Sequence, residues 1–272
     1  MNAPEADHDR FSFAPFSRHA FFTQVNRWIV ERVVDPGRRL IVDLGCGPGA
    51  VTQLILERVG DQPDVRVIGI DPSPSAVQRA REAIRSKVAE FIEGTAEGLA
   101  RLVSHVDLVV FLNAIHLVPD KAQVLTTIRR TLKPGGVLAF NTSFYNGAYP
   151  EGTASFWRRW VVRAVQALRE RGIELKKNGT ATARQFLTPD EYRELCVRAG
   201  FRAPKMEVVQ AEMTREGLED IGRFSLFIEG ALPGIPLDVG CEALQEGLRR
   251  TLSETGLTTV PRNWLECVAE AA

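Results

Sequence analysis

Residues 42–49 read Val-Asp-Leu-Gly-Cys-Gly-Pro-Gly, and this stretch decides the fold class of the chain. It follows an apolar run at 40–42 and precedes apolar residues at helical spacing between 51 and 59. A strand, a glycine-rich turn and a helix in this order form a pocket where the backbone approaches a ligand closely. The spacing is GxGxG, which differs from the GxGxxG of dinucleotide enzymes. The stretch therefore predicts a ligand site in an α/β fold, and an ordinary tight turn is the alternative interpretation.

The acid at the start of this stretch narrows the kind of ligand. Asp43 lies two residues before the first glycine and places a carboxylate beside the turn. A pyrophosphate would be repelled there, whereas an ammonium or sulfonium group would be attracted.

Composition sets limits on partners and compartment. The 272 residues suffice for one large domain, or for one domain with an insertion. The 34 basic and 34 acidic residues balance, so there is no global electrostatic case for a nucleic-acid partner. The four cysteines form no CxxC pair, which predicts reduced thiols in a cytoplasmic protein. The four histidines are not at the spacing of metal ligands, which predicts that there is no metal site. No apolar run has membrane-spanning length, and the first ten residues read as a disordered lead-in without a signal-peptide core.

Apolar runs alternate with helical patterns between residues 39 and 142. We predict strands at 39–44, 65–70, 88–93, 106–111 and 136–142, and helices at 50–59, 74–86 and 120–132. Two later strands, at 205–212 and 263–269, complete a doubly wound, Rossmann-like, mostly parallel sheet of seven strands. Ligands in such sheets bind at the carboxyl ends of the strands.

The remaining segments read as helical additions to this core. Helical patterns cover 17–34 and 151–172, a capped helix starts at Thr188, and 213–258 is mostly helical. We therefore expect a lead-in and cap helix at 1–36, a cofactor-binding core at 37–144, a lid helix at 145–185, and completion of the sheet at 186–272 with a helical insertion.

A second acid stands at the end of the second predicted strand. Asp71 lies twenty-eight residues beyond Asp43, where a carboxylate can accept two hydrogen bonds from ribose hydroxyls. Its alternative role is a helix N-cap, because Pro72, Ser73 and Pro74 follow it. A ribose of NAD would fit this acid equally well.

The motifs continue in order along the chain. EGTAEGL stands at 93–99, DLVVFLNAIHLVPD at 107–120 and LKPGGVLAF at 132–140. With the glycine turn and Asp71, they resemble the class I S-adenosylmethionine-dependent methyltransferases, and most closely the small-molecule group that includes the ubiquinone/menaquinone-biosynthesis enzymes. The resemblance covers 39–142 and, less strongly, 186–201.

This resemblance implies S-adenosylmethionine as the cofactor and assigns roles to matching positions. The glycine turn would cradle the methionine part, Asp43 would lie near its ammonium, and Asp71 would hold the ribose. Thr95 and Ala96 would lie at the adenine edge, although the family usually has aspartate where Thr95 stands. Asn113 would lie at the sulfonium side, with a strand-end cap as its alternative role, and Arg18 would bind the carboxylate of the cofactor, with an exposed arginine as the alternative. The complete set of implied cofactor contacts is Asp43, Gly45, Cys46, Gly47, Gly49, Asp71, Pro72, Thr95, Ala96, Asn113 and Arg18.

Two histidines are candidates for catalysis. His116 follows the fourth strand, and its ordinary pKa suits a general base that takes a proton from the acceptor. Its alternative role is packing against the next helix. His19, near the N-terminus, is the second candidate.

The resemblance implies in-line methyl transfer to oxygen, nitrogen or carbon of a small acceptor. Aromatic residues in the helical segments favour an apolar or aromatic acceptor and a closed pocket. A nicotinamide-dependent oxidoreductase is one alternative. A lipid-like acceptor at a membrane surface is another, because Trp157 and Trp160 stand beside arginines on the 151–172 helix. The competing interpretation of this helix is a lid whose basic face is solvated. The fourth strand lacks the Pro-Pro-aromatic signature of enzymes that methylate nucleic-acid bases. The acceptor and the oligomeric state are not encoded in any motif that we identify.

Overall fold

A computed structural model of the chain describes residues 10–175 and 186–272. The chain divides into two compact units. The sheet unit comprises Phe22–Ala148, Gln185–Val209 and Asn263–Ala272, and the helical unit comprises Met1–Phe21, Tyr149–Arg184 and Gln210–Arg262. The predicted lead-in lies, up to residue 9, outside the described residues.

Seven strands form a single sheet. In chain order they are β1 (Leu40–Leu44), β2 (Arg66–Asp71), β3 (Ala89–Glu93), β4 (Val106–Leu112), β5 (Leu132–Thr142), β6 (Lys205–Thr214) and β7 (Thr259–Glu270). Their order across the sheet is β3-β2-β1-β4-β5-β7-β6. The first five run parallel, and β7 runs antiparallel to β5. The α/β class and the seven strands are confirmed, and the sheet is mixed.

The helices of the described residues follow the predicted alternation. They are α1 (Ala20–Val33), α2 (Ala50–Val59), α3 (Pro74–Ala83), α4 (Leu99–Leu102), α5 (Lys121–Thr131), α6 (Ala154–Glu170), α7 (Pro189–Arg198), α8 (Arg215–Ile221), α9 (Ser225–Ala231) and α10 (Leu237–Thr255). Short 3-10 turns stand at Phe16–Arg18 and Ile115–Leu117. Side-chain caps fix several starts: Asp120 caps α5, and Thr188 forms a capping box with Glu191 at α7.

The strands β1, β2 and β4 are buried on both faces because most of their residues are apolar. Val42 and Phe111 pack on one face against Val124 of α5. Ile41 and Val110 point to the other face, toward α1 and α2. This two-sided cover holds the carboxyl ends of β1, β2 and β4 at one edge.

Several boundaries differ from the sequence predictions. Strand β5 starts at Leu132 rather than 136, because Leu132 pairs with Val106 before an irregularity in the register. Strand β7 is longer than predicted, and the 213–258 segment contains three helices. No helix among the described residues has both the length and the apolar character needed to cross a membrane.

The helical unit is built around close packing of α6 on α10. A Cβ on Gly247 would lie 2.5 Å from the backbone nitrogen of Ala164, so only glycine permits this approach. Buried Trp160 donates its indole N–H to the Leu244 carbonyl at 2.8 Å. The unit therefore has its own core, formed by these two helices.

Candidate cofactor site

The glycine turn joins β1 to α2. Gly45, Gly47 and Gly49 have φ angles of 70°, 53° and 94°, all in the left-handed region. A Cβ on Gly45 would lie 2.9 Å from the Ala114 Cβ, and one on Gly49 would lie 2.6 Å from the Ile84 Cδ1. A Cβ on Gly47 would meet no atom within 4 Å. The backbone at Gly47 therefore faces open space, as a ligand cradle requires.

Asp43 is buried at the end of β1. Its Oδ2 accepts a hydrogen bond from the Thr52 hydroxyl at 2.5 Å. Burial raises the pKa of Asp43 to about 7; the Thr52 hydrogen bonds oppose this rise, and the charge of Asp71 adds to it. A positively charged ligand group nearby would favour the ionised carboxylate.

Asp71 connects the glycine turn to the end of β2. Its two carboxylate oxygens accept from the backbone N–H groups of Gly47 and Ser73, each at 2.9 Å. Burial raises the pKa of Asp71, and these two hydrogen bonds oppose the rise. Ser73 is the N-cap of α3, so Asp71 does not have that role. A carboxylate oxygen has two lone pairs, so Asp71 keeps capacity for hydroxyl donors.

Cys46 and Pro72 flank these acids. Burial and the charges of Asp43 and Asp71 raise the pKa of the Cys46 thiol far above its usual value, which keeps the thiol protonated. It points toward the Gly47 carbonyl, with its sulfur 3.6 Å from that oxygen. Pro72 is exposed, directly after Asp71.

Thr95 and Ala96 follow β3. Thr95 is exposed, and its Oγ1 accepts from the Gly98 backbone N–H at 3.2 Å. Its second lone pair leaves it able to accept one further hydrogen bond. Ala96 is buried.

Asn113 lies just after β4 and is tied to three other side chains. Its Nδ2 donates to the Asn26 Oδ1 at 2.8 Å, and its Oδ1 accepts from the Trp264 Nε1 at 3.0 Å. Its backbone N–H donates to the Asn141 Oδ1 at 2.8 Å. Both the side chain and the backbone N–H of Asn113 are therefore committed to partners inside the sheet unit.

His116 is buried in the 3-10 turn that follows. Its Nδ1 lies 3.2 Å from the Thr142 hydroxyl, and its ring stacks on Phe144 with centroids 4.3 Å apart. The Thr142 Oγ1 also accepts from the Phe144 backbone N–H at 3.0 Å. The ring thus has a fixed orientation against Phe144, while the predicted packing against the next helix and the predicted role as a base both stay predictions.

His19 and Arg18 lie in the helical unit. The His19 Nε2 is 2.9 Å from the Asp220 Oδ2, and its ring stacks on Phe21. Arg18 is exposed. Their predicted roles in catalysis and carboxylate binding stay predictions, as does the lid role of the 151–172 helix.

Sequence reasoning missed five residues of this site. Thr52 lies in the first turn of α2, and only the short glycine turn separates this helix from β1. That closeness could have indicated the hydrogen bond from Thr52 to Asp43. The others are distant in sequence from the motif they support, and no local pattern marks them: Asn26, Asn141, Thr142 and Trp264. No cluster of three or more potential metal ligands occurs in the described ranges.

The geometry fits the cofactor that the resemblance implies. Its methionine end carries an ammonium and its ribose carries two hydroxyls. The open cradle at Gly47 lies between an acid suited to the first group and an acid suited to the second.

Known proteins that are similar to this chain are also methyltransferases. A family model described as a methyltransferase domain matches residues 41–136. Trans-aconitate 2-methyltransferase of Azoarcus sp. (strain BH72) is 38% identical over 118 residues, 43% of this chain and 44% of that protein. Ubiquinone biosynthesis O-methyltransferase of Pseudomonas fluorescens (strain SBW25) is 33% identical over 176 residues, 64% of this chain and 68% of that protein. The chain thus matches less than half the length of the first relative.

A solved structure shares the fold. Phosphoethanolamine N-methyltransferase 2 of Haemonchus contortus, in complex with phosphomonomethylethanolamine and S-adenosylhomocysteine, aligns with a TM-score of 0.58 at 18% identity. The alignment covers 97% of this chain and 57% of that chain.

Proposed function

Because the chain belongs to the class I S-adenosylmethionine-dependent methyltransferases, we propose that it methylates a small apolar or aromatic acceptor. The observation that carries the proposal is the open glycine turn between two acids: Asp71 accepts from the Gly47 N–H at 2.9 Å, and buried Asp43 lies at the start of the same turn. The nicotinamide-dependent alternative is set aside, because the relatives are methyltransferases.

The cofactor half of the site uses residues of the sheet unit. The glycine turn, with Cys46 at its centre, cradles the methionine part, and Asp43 attracts the ammonium. Asp71 accepts from the ribose hydroxyls while it keeps the turn in place through the Gly47 N–H. The adenine edge lies by Thr95 and Ala96, with Pro72 beside it, and Thr95 accepts a single hydrogen bond where an aspartate would accept more.

The chemistry makes few demands on the protein. When bound, the cofactor supplies an electrophilic methyl group on its sulfonium. The residues of the chain need to align the acceptor atom with that methyl group and exclude water, since positioning accounts for most of the acceleration.

The acceptor half begins at His116. Stacking on Phe144, which itself lies 6.3 Å from Phe186 between ring centroids, makes an aromatic surface beyond the ends of β4 and β5. A planar apolar acceptor would stack on such a surface. Support for an oxygen acceptor comes from the ubiquinone biosynthesis O-methyltransferase relative.

The hydroxyl of Thr142 can orient His116 as a base. Because Oγ1 has two lone pairs, it can accept from the Phe144 N–H and also from a proton on the Nδ1 of His116. In that tautomer Nε2 carries the free lone pair, which can take the proton that the acceptor loses. The resulting imidazolium keeps its Nδ1–H bond to Thr142.

An acceptor screen tests this proposal. The protein would be incubated with S-adenosylmethionine and sets of phenols, quinols, lipid-like compounds, carboxylates and small amines, with mass spectrometry for the gain of one methyl group. A Phe144→Leu variant serves as the control for the aromatic surface. We expect methylated phenols or quinols and weaker turnover by the variant; activity confined to small polar amines or carboxylates would contradict the apolar acceptor.

A further inference from the structure

A network of buried amides and one indole fixes the chain where it leaves β4. Asn26 Oδ1 accepts from the Asn113 Nδ2 at 2.8 Å and from the Asn141 Nδ2 at 3.2 Å. The Asn113 backbone N–H donates to the Asn141 Oδ1, and the Trp264 Nε1 donates to the Asn113 Oδ1. Asn26, Asn141 and Trp264 are each at most 2% exposed. Asn113 is thus held at both ends of its amide and at its backbone.

This network stabilises an unusual backbone conformation. Asn113 has a φ of 56°, and among the described non-glycine residues only His105 shares a positive φ. The left-handed region is unfavourable for an L-residue, and asparagine is among the side chains that tolerate it best. Three hydrogen bonds to buried partners can offset that cost. The conformation therefore depends on residues from α1, β5 and β7.

The position of this bend connects it to the glycine turn. Strands β1 and β4 are parallel neighbours, with Asp43 paired to Val110. Ala114, which follows Asn113, limits the space at Gly45: a Cβ there would lie 2.9 Å from the Ala114 Cβ. Residues 113–114 therefore form a wall of the cradle, and the bend at Asn113 determines where that wall stands.

We propose that Asn26, Asn141 and Trp264 are positioning residues for cofactor binding. They hold Asn113 in the left-handed conformation, and this keeps the end of β4 against the glycine turn. The inference rests on the proposed cofactor site. A weakened network lets the bend sample other conformations, so the competent fraction falls and the apparent Kd of the cofactor rises in proportion.

Trp264→Phe gives the sharpest variant, since it removes one N–H donor and keeps an aromatic ring. Binding of S-adenosylhomocysteine by isothermal titration calorimetry is the readout. Loss of one hydrogen bond is expected to weaken binding about 3- to 10-fold. Two substitutions at Asn113 separate backbone from side chain. Both lose the two side-chain hydrogen bonds and keep the backbone N–H donor, but Asn113→Ala disfavours the bend whereas Asn113→Gly permits it. We expect about tenfold or more weakening for alanine and a smaller loss for glycine.

Leu265→Ala is the matched control. It lies next to Trp264 on β7 and packs in the core cluster that contains Phe140. It is expected to lower the melting temperature and leave the Kd unchanged. Should Trp264→Phe and Asn113→Ala lower the melting temperature yet bind with the wild-type Kd, the network is only structural and the inference is overturned. Absence of binding by the wild type is a different result, because it contradicts the cofactor site itself.

Discussion

At the scale of single residues, the buried carboxyl of Asp43 couples cofactor binding to pH. Its pKa is raised to about 7 by burial, so a large share of the folded protein carries a neutral Asp43 near neutrality. The ionised form is the one that attracts an ammonium. We therefore expect the Kd of S-adenosylmethionine to fall about 25-fold as the pH rises from about 5.5 to about 7.5, because the ionised fraction of Asp43 rises by that factor. The range stops there because an α-amino group begins to lose its proton at about 7.7–8.0.

Asp43→Asn provides the comparison for this titration. The amide retains an oxygen for the Thr52 hydroxyl and has no charge to gain. Its Kd should be weaker than that of the wild type at the upper end of the range and nearly independent of pH. A wild-type Kd that stays constant over the same range would contradict a role for Asp43 beside the ammonium.

The same carboxyl predicts how stability changes with pH. The pKa of Asp43 is higher in the folded chain than its ordinary value, so the folded state binds more protons between these two values. Its contribution to stability is complete below the ordinary pKa of about 3.9 and is lost as the pH rises through 7. In thermal melts without cofactor, Asp43→Asn should therefore gain stability relative to the wild type as the pH rises. An equal difference at both ends of the range would be evidence against the raised pKa.

His116 and Thr142 are tested once an acceptor is known. Removal of a general base commonly lowers kcat by about 10²- to 10⁴-fold, and we expect His116→Gln to fall in that range. Thr142→Val keeps the shape and removes the hydroxyl that orients the ring, so a smaller loss of kcat is expected. The Kd of S-adenosylhomocysteine should be unchanged in both. Full turnover by His116→Gln would assign this histidine to packing alone.

At the scale of elements, the approach of α6 to α10 gives a prediction for the helical unit. Gly247→Ala places a Cβ 2.5 Å from the Ala164 nitrogen and 2.8 Å from the Trp160 carbonyl oxygen, both backbone atoms. The helices must separate, which is expected to destabilise by about 1–3 kcal/mol. Gly240→Ala, in the same helix, brings its Cβ to 2.5 Å from the Cγ2 of buried Ile228, which is a side-chain atom and not backbone. A shift of one side chain relieves that contact, so a smaller loss of stability is expected for Gly240→Ala than for Gly247→Ala. Circular-dichroism melts should show the larger drop for Gly247→Ala; an equal drop for the two would contradict the close backbone packing.

The elements that sequence predicted best are those with one local cause. Strands β1 to β4 were predicted within about one residue of their bounds, since continuous β-branched runs and flanking turns determine them. The predicted start of strand β5 is too late in the sequence, because Lys133-Pro134-Gly135-Gly136 is typical of a break between elements. In the structure the strand begins before this segment, since Leu132 already pairs with Val106. In the 213–258 segment, three helices follow one another with short breaks that periodicity alone does not separate.

The site shows the same division between local and long-range causes. The glycines, Asp43 and Asp71 stand in short motifs whose chemistry can be argued from spacing. The partners of Asn113 are 87, 28 and 151 residues away along the chain. Only the pairing of β4 with β5 and β7 with β5, and the packing of α1 on the sheet, brings them together.

At the scale of the whole molecule, the family match and the cofactor site lie in the same unit. The matched residues, 41–136, belong to the sheet unit, whereas 149–184 and 210–262 form the helical unit outside that match. Membership of the family thus specifies the cofactor and does not specify the acceptor. This is why the sequence motifs predict methyl transfer and do not identify what receives the methyl group.

The most direct test of the central claim is binding of S-adenosylmethionine to two matched glycine variants. Gly47 and Gly60 have φ angles of 53° and 62°, and a Cβ on either would meet no protein atom within 4 Å. Alanine must adopt a positive φ at both positions, and Gly60, with a ψ of −165°, lies in a region that is essentially restricted to glycine, so an effect of backbone strain alone would also appear in the Gly60 variant. Only at Gly47 does the added Cβ enter the cradle. By isothermal titration calorimetry, Gly60→Ala should bind like the wild type and Gly47→Ala should lose at least about tenfold in affinity. Equal affinity of Gly47→Ala and the wild type, or no binding by the wild type, would contradict the account.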